Sequence, residues 1–113
     1  MISREAFDII KHLYRQREWS WQTFGPPFFR GFKGPLAHLL KELTEIEKEP
    51  WEVEEWADGV ILIFDGAMRA GHSPEDLMAA IGNKLDKNMQ RVWPDWRDAD
   101  PDKPIEHVRG IHD

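Results

Sequence analysis

The sequence has no cysteine, which excludes a disulfide framework and the thiolate ligands of most structural zinc sites. It also has no run of about 18 apolar residues, the length that a transmembrane helix needs. The N-terminal segment MISREAFDII contains acidic residues and lacks the apolar core of a signal peptide. We therefore expect a soluble, cytoplasmic protein without a membrane partner.

An excess of basic residues is missing as well. Acidic residues outnumber basic ones by 21 to 15, and the formal net charge is −6. Nucleic-acid-binding proteins usually present a basic surface, because contacts to phosphates supply much of their affinity. We expect no nucleic-acid partner, and an anionic substrate would need a local basic patch or a bound cation.

Aromatic residues are abundant, and β-strand alternation is missing. Six tryptophans and six phenylalanines among 113 residues indicate a well-filled core, an aromatic ligand pocket or a subunit interface. Apolar residues recur at helical spacing, which predicts an all-α fold in a single domain of residues 1–113. Helices are predicted over about residues 3–17, 35–49, 52–70 and 74–92.

Between and after these helices, proline and glycine mark irregular segments. Residues 18–35 contain three prolines, three glycines and six aromatics, which is typical of an ordered loop. Residues 73–76, Ser-Pro-Glu-Asp, are typical of a helix cap, a first-turn proline and an acidic first turn. The tail of about residues 94–113 is rich in proline and charge, so we expect it to be extended or partly disordered, anchored by Trp93 and Trp96.

Two pairs of acidic residues are the strongest functional signal. Glu42 and Glu45 share one face of the second helix, and Glu55 and Asp58 share one strip of the third. A tight turn joins these helices as antiparallel neighbours, which brings the pairs opposite each other. Such carboxylates repel one another unless a divalent cation, a proton or solvent compensates them. Oxygen ligands of this kind suit Mg²⁺, and Mn²⁺ is expected to substitute.

A plain solvated face is the competing interpretation, because acidic residues at i and i+3 are common on exposed helix surfaces. The setting of the second pair argues against it. Apolar residues cover about half of the third helix, which predicts a largely buried element. Four helices of this size cannot cover it fully, so we expect a homo-oligomer, a dimer or a tetramer.

The segment KELTEIEKEPWEVEEWADGVILIFDGAMRAG resembles the paired signature of the all-α nucleoside triphosphate pyrophosphohydrolases, the group of MazG and the dimeric dUTPases. Their pattern is E-x-x-E on one helix and E-x-x-D on the next. The resemblance implies a MazG-like bundle of four to five helices, completed by oligomerisation. The four acidic residues identified above would then be the metal ligands.

A narrower resemblance covers three stretches in order, Trp19–Pro26, His38–Ile46 and Glu55–Gly71. These are similar to the phage dATP/dGTP diphosphohydrolases of the MazZ type. The resemblance implies Mg²⁺-dependent hydrolysis of dATP and dGTP at the α-phosphorus to dAMP or dGMP and pyrophosphate. It also implies a supply of dGMP for 2-aminoadenine genome synthesis. Glu42 or Glu45 is expected to act as the general base, and the sequence does not choose between them.

Further candidates for substrate contacts lie outside the acidic helices. Lys87, Asn88 and Arg91 belong to a stretch similar to the family's K-x-x-x-N-x-x-R region, which contacts phosphates and sugar. The aromatic segment offers stacking and polar groups for the purine base, although loop aromatics more often pack than bind a ligand. The residues considered for this role are Trp19, Trp21, Phe24 and Lys33.

Two polar residues, Asp65 and His38, have weaker assignments. Asp65 lies two helical turns after Asp58, where it either contacts substrate or forms a surface ion pair with Arg69 at i and i+4. His38 lies one turn before Glu42, so it either orients that carboxylate or is simply exposed.

Three alternative functions stay open at the level of sequence. A related pyrophosphohydrolase for dUTP, dCTP or house-cleaning would share the metal site and differ only in its base pocket. A non-catalytic helical interaction protein would use the acidic faces to bind a basic partner. A metal or nucleotide sensor would bind without turnover.

Overall fold

The computed structural model describes residues 6–110, and within this range the regular structure is helical. The α-helices are α1 (Ile9–Phe24), α2 (Lys33–Lys48), α3 (Val53–Arg69) and α4 (Pro74–Gln90), followed by a 3₁₀-helix at Trp96–Asp98. The all-α prediction is therefore confirmed. Among the described residues, none of the helices combines the length and the apolarity that crossing a bilayer requires.

The start and end of α1 differ from the prediction. Asp8 caps the helix, because its Oδ1 accepts hydrogen bonds from the backbone N–H groups of Ile10 (3.0 Å) and Lys11 (3.1 Å). The predicted cap, Ser3, lies outside the described residues. The helix continues to Phe24 and ends at Gly25, whose φ of 98° favours glycine. Residues 18–24 were wrongly assigned to a loop, since no helix breaker precedes Gly25.

Helices α2 and α3 form the main packing unit. The short segment between Lys48 and Val53 reverses the chain, and the indole Nε1 of Trp56 donates to the carbonyl of Pro50 (2.9 Å) in that turn. At Gly59 the two helices approach so closely that an added Cβ would lie 3.3 Å from Cδ1 of Ile46 and 3.7 Å from Cδ1 of Leu39. The predicted antiparallel pair is thus present and tightly packed at its centre.

Helix α1 packs against the C-terminal half of α3. Leu13, Gln16 and Ser20 are its buried residues, at i, i+3 and i+7, which places them on one face. The side-chain amide of Gln16 donates to the carbonyl of Ile61 (2.8 Å). The C-terminal end of α3 is buried as well, since Met68 is only 3% exposed. This contact brings the end of α1 to the polar strip of α3.

Helix α4 starts as the sequence predicts. The hydroxyl of Ser73 accepts from the backbone N–H of Asp76 (3.1 Å), and Pro74 is buried in the first turn. The Tyr14 hydroxyl donates to the carboxylate of Glu75, with its oxygens 2.6 and 2.8 Å away. This hydrogen bond lowers the pKa of Glu75 and raises that of Tyr14. It links α1 to the first turn of α4.

The described residues form two compact units, with the division after Met78 within α4. In the second unit the chain beyond α4 folds back on itself: the backbone N–H of Val108 donates to the carbonyl of Val92 (2.7 Å). The ring of His107 lies edge-on to Trp93, with centroids 5.8 Å apart. Trp93 therefore contacts the tail as predicted, and most of the described tail has no regular secondary structure apart from the 3₁₀-helix.

Apolar faces of α2 and α3 are largely uncovered in the single chain. The prediction that α3 is largely buried is wrong for one apolar face, which runs from Val53 to Ile63, because the contacts of α3 with α1 and α2 leave this face exposed. On α3 the exposed fractions are 76% for Val53, 51% for Trp56, 47% for Val60 and 50% for Ile63; on α2 they are 46% for Leu36, 70% for Leu40 and 50% for Leu43.

Candidate metal and nucleotide site

Three carboxylates from the antiparallel pair converge. Glu42 comes from α2, and Glu55 and Asp58 come from one face of α3; each offers an oxygen within 4.8 Å of the others. Glu42 and Glu55 are half-buried, and Asp58 is exposed. The i, i+3 spacing on α3 places both of its carboxylates towards α2. This arrangement of hard oxygen donors fits a divalent cation such as Mg²⁺.

The carboxylates of this cluster repel one another, and the repulsion shifts the pKa of Glu55. The pKa of Glu55 is raised above its usual value, first by desolvation and then by the negative charges of Glu42 and Asp58. The negative charges of Glu49 and Glu45 raise the pKa of Glu55 further, with smaller contributions. The imidazole Nε2 of His38 lies 3.3 Å from an oxygen of Glu42, close enough to orient the carboxylate, and this role of His38 stays a prediction. A cation at this position would remove the remaining repulsion.

Glu45 is the one of the four predicted metal ligands that lies outside the cluster of three carboxylates. It is exposed on α2, and it does not join the three carboxylates whose oxygens lie mutually within 4.8 Å. It lies one helical turn after Glu42, and its charge still reaches Glu55. Its role as a ligand or as the general base stays a prediction.

A cavity of about 670 Å³ adjoins the carboxylates. Glu42 and Asp58 line it, and Asp65 lines it two turns further along α3, so the cavity runs along this helix. Trp19 and Phe24 belong to the same wall, with their rings edge-to-face and the centroids 5.4 Å apart. The cavity therefore joins a cluster of oxygen ligands to an aromatic surface, which is the combination that a nucleotide needs.

Two cations on the cavity wall were not among the predicted residues. They are Lys41, directly before Glu42, and Arg30, which follows the two phenylalanines of the α1–α2 connection. Sequence reasoning missed them because a single lysine on a leucine-rich helix and a single arginine in a loop have no distinctive spacing. Lys33 and Trp21 do not line this cavity. Lys33 is exposed at the start of α2, and Trp21 packs against the guanidinium of Arg17, 5.2 Å from its ring centroid.

A buried polar network forms the floor beneath this cavity. Asp65 Oδ1 accepts from the hydroxyl of Ser20 (2.7 Å) and from Nε of Arg69 (3.0 Å). The guanidinium of Arg69 also donates to the carbonyls of Gly25 (2.8 Å) and Arg30 (2.7 Å). The Arg69 side chain is only 2% exposed. The expectation of a surface ion pair between Asp65 and Arg69 is therefore wrong, because α1 and the following loop cover both residues.

Comparison with known proteins identifies the chain. Residues 12–110 match the sequence model of the dATP/dGTP pyrophosphohydrolase family. The chain belongs to this family. The Eaa protein of Salmonella phage P22 is 42% identical over 84 residues, which cover 74% of this chain. The matched region amounts to 26% of the Eaa protein, so the chain corresponds to about a quarter of that relative. No solved structure shows a significant match.

The remaining predicted contacts of this pyrophosphohydrolase family member lie in the second unit. Arg91 donates from Nη1 to Oδ1 of Asn88 (2.9 Å), and Lys87 is exposed one residue earlier on α4. Their proposed contacts with phosphate and sugar stay predictions.

Proposed function

We propose that the chain hydrolyses dATP and dGTP at the α-phosphorus, releasing dAMP or dGMP and pyrophosphate. The observation that supports this most directly is the convergence of Glu42, Glu55 and Asp58 beside a cavity with an aromatic wall, in a chain of the dATP/dGTP pyrophosphohydrolase family. The three carboxylates are proposed to hold Mg²⁺, and Glu45 is proposed as a fourth ligand. Mn²⁺ is expected to replace Mg²⁺.

When bound, the metal would neutralise phosphate charge and acidify a water molecule. In the proposed reaction, the oxygen of a water molecule forms a bond to the α-phosphorus, and the bond from this phosphorus to the bridging oxygen breaks. The pyrophosphate takes the electron pair of the broken bond. Glu42 or Glu45 accepts the proton of the attacking water. His38 keeps Glu42 oriented through their 3.3 Å contact.

Side chains around the cavity have matching proposed roles. Lys41 and Arg30 are exposed cations suited to the oxygens of the triphosphate. Trp19 and Phe24 offer an apolar surface against which a base stacks. Lys87, Asn88 and Arg91 are proposed to contact phosphate and sugar, as the family resemblance implies. Production of dGMP together with loss of dATP is the chemistry that 2-aminoadenine genome synthesis would need, and we include this role in the proposal.

A nucleotide panel tests the activity. The purified chain is incubated with dATP, dGTP, dCTP, dTTP and dUTP in Mg²⁺, Mn²⁺ or EDTA, and pyrophosphate and orthophosphate are quantified separately. We expect pyrophosphate with dAMP and dGMP, only when a divalent cation is present. Products dADP and dGDP with orthophosphate would contradict attack at the α-phosphorus. Faster turnover of dUTP or dCTP would instead assign a related pyrophosphohydrolase.

We also propose that a second copy of the chain covers the exposed apolar faces of α2 and α3. Val60, 47% exposed at the centre of the α3 face, and Leu40, 70% exposed on α2, leave an apolar surface of the kind that subunit interfaces bury. Light scattering after gel filtration should give a multiple of 13.3 kDa. Val60→Lys should shift the mass towards the monomer, whereas Val108→Lys, at a site 53% exposed outside these faces, should not. A wild-type monomer at micromolar concentration would disprove this interface.

A further inference from the structure

Asp65 uses only one of its two carboxylate oxygens within the described part of the chain. Oδ1 accepts from Ser20 and Arg69, whereas Oδ2 accepts a hydrogen bond from no residue between 6 and 110. The residue is only 8% exposed, and it lines the cavity beside the carboxylate cluster. Oδ2 is not among the buried atoms that lack a partner, so it is open to the cavity that Asp65 lines. A ligand that fills the cavity displaces water from this oxygen, and the oxygen then needs an N–H or O–H donor from the ligand.

The positive charge of Arg69 beside Asp65 restricts the kind of donor that suits Oδ2. Arg69 already compensates the carboxylate through the 3.0 Å ion pair, and it is anchored by further hydrogen bonds to the chain. A second cation is therefore not required at Oδ2. A phosphate group is unsuitable, because it would bring negative charge against a carboxylate. The best match is a neutral donor on an uncharged part of the substrate.

Its place on α3 indicates which part of the substrate reaches it. Asp65 follows Asp58 by seven residues, which corresponds to about two turns, or roughly 10 Å along the helix axis. With the triphosphate at the carboxylate cluster, the far end of the nucleotide would lie near Asp65. Trp19 and Phe24 line the same cavity and provide an apolar surface for a flat ring. That far end is the nucleobase.

We propose that Oδ2 of Asp65 accepts a hydrogen bond from an N–H group on the Watson–Crick edge of the purine, which makes Asp65 a specificity-determining residue. Adenine offers its amino group at C6, and guanine offers N1–H and its amino group at C2. One carboxylate oxygen therefore serves both purines after a small shift of the base. This inference rests on the proposed function, because it assumes that the triphosphate lies at Glu42, Glu55 and Asp58.

The test compares dATP with purine-2′-deoxyriboside 5′-triphosphate, which differs only by lacking the amino group. For the wild-type chain we expect kcat/KM to be at least about tenfold lower for the amino-free nucleotide, since the bound base excludes water from Oδ2 and offers it no donor. In Asp65→Asn the amide oxygen must face Ser20 and Arg69, so its N–H groups point at the base. The variant should therefore lose activity on dATP and show a ratio near one.

Glu54→Gln is the matched control, because Glu54 is exposed on the same helix and lines no part of the cavity. It should keep the wild-type ratio. An equal loss on both nucleotides in Asp65→Asn would show a structural role only and overturn the proposal. If Asp65→Asn does not fold, the wild-type comparison decides by itself: equal kcat/KM values would overturn it.

The inference can be separated from the proposed activity. If the wild-type chain hydrolyses neither dATP nor dGTP, the proposed function fails, and binding is measured instead. Calorimetry with dAMP and with purine-2′-deoxyriboside 5′-monophosphate should then still show about a tenfold difference in Kd. Equal affinities would overturn the assignment of Asp65 as well.

Discussion

Exchange of Glu42, Glu55 or Asp58 for its amide is expected to lower the rate of dATP hydrolysis by about a hundredfold or more, measured as pyrophosphate release in Mg²⁺. The three oxygens converge within 4.8 Å, so each amide removes one negative ligand from a small set. A bound metal would contribute most of the charge stabilisation in the transition state, and a weakened site cannot hold it in place.

The exchange of Glu55 for its amide should raise the stability of the chain although it lowers the activity. Burial and neighbouring charges raise the pKa of Glu55, which means that the folded chain without metal disfavours its ionised form. Glu55→Gln is therefore expected to raise the melting temperature in EDTA while it removes activity in Mg²⁺. Glu47→Gln, an exposed site on α2, serves as the control and should change neither quantity. Normal activity in all three amide variants would contradict the proposed metal site.

Arg69→Met is expected to cause the largest loss of stability, about 3–5 kcal/mol in the free energy of unfolding. Removal of the guanidinium leaves Asp65 without its counter-ion and leaves the carbonyls of Gly25 and Arg30 without donors. Urea denaturation at fixed protein concentration measures the change.

The exposed ion pair of Arg97 and Asp95 provides a comparison for the loss of stability. In the second unit Arg97 contacts Asp95 at 3.2 Å, with side chains 68% and 48% exposed, so Arg97→Met should cost at most about 1 kcal/mol. Combining Arg69→Met with Asp65→Leu should recover part of the loss, since no unpaired charge then stays buried. Equal costs for Arg69→Met and Arg97→Met would contradict the structural role of the buried network.

Features determined by neighbouring residues were predictable from the sequence. The start of α4 follows from Ser73 and Pro74, and the α2–α3 hairpin follows from two apolar stripes joined by a short turn. The hairpin in turn brings residues at i and i+3 on α3 opposite α2. For this reason the sequence predicted that Glu42 lies near Glu55 and Asp58, which is the arrangement in the structure.

Features that depend on distant packing were not predictable. Prolines, glycines and aromatics in residues 18–35 suggested a loop, but the helix continues to Phe24, and Ser20 in this stretch is buried against Asp65 and Arg69 of α3. The network of Ser20, Asp65 and Arg69 joins residues 45 and 49 positions apart. No local pattern marks such a contact, since a serine, an aspartate and an arginine are each ordinary on a helix surface. Glu45, by contrast, matched the motif but lies outside the three-carboxylate cluster.

The close approach of α2 and α3 at Gly59 has a consequence for the choice of ion. Gly59 directly follows Asp58, and its lack of a side chain permits Ile46 and Leu39 to lie against the α3 backbone. The gap between Glu42 and the α3 carboxylates is therefore set partly by uncharged residues. Mg²⁺ requires oxygens at about 2.0–2.1 Å, whereas Ca²⁺ accepts about 2.3–2.6 Å. If a divalent cation binds at these carboxylates, we expect discrimination between ions of different radius to depend on hydrophobic packing as well as on the ligands themselves.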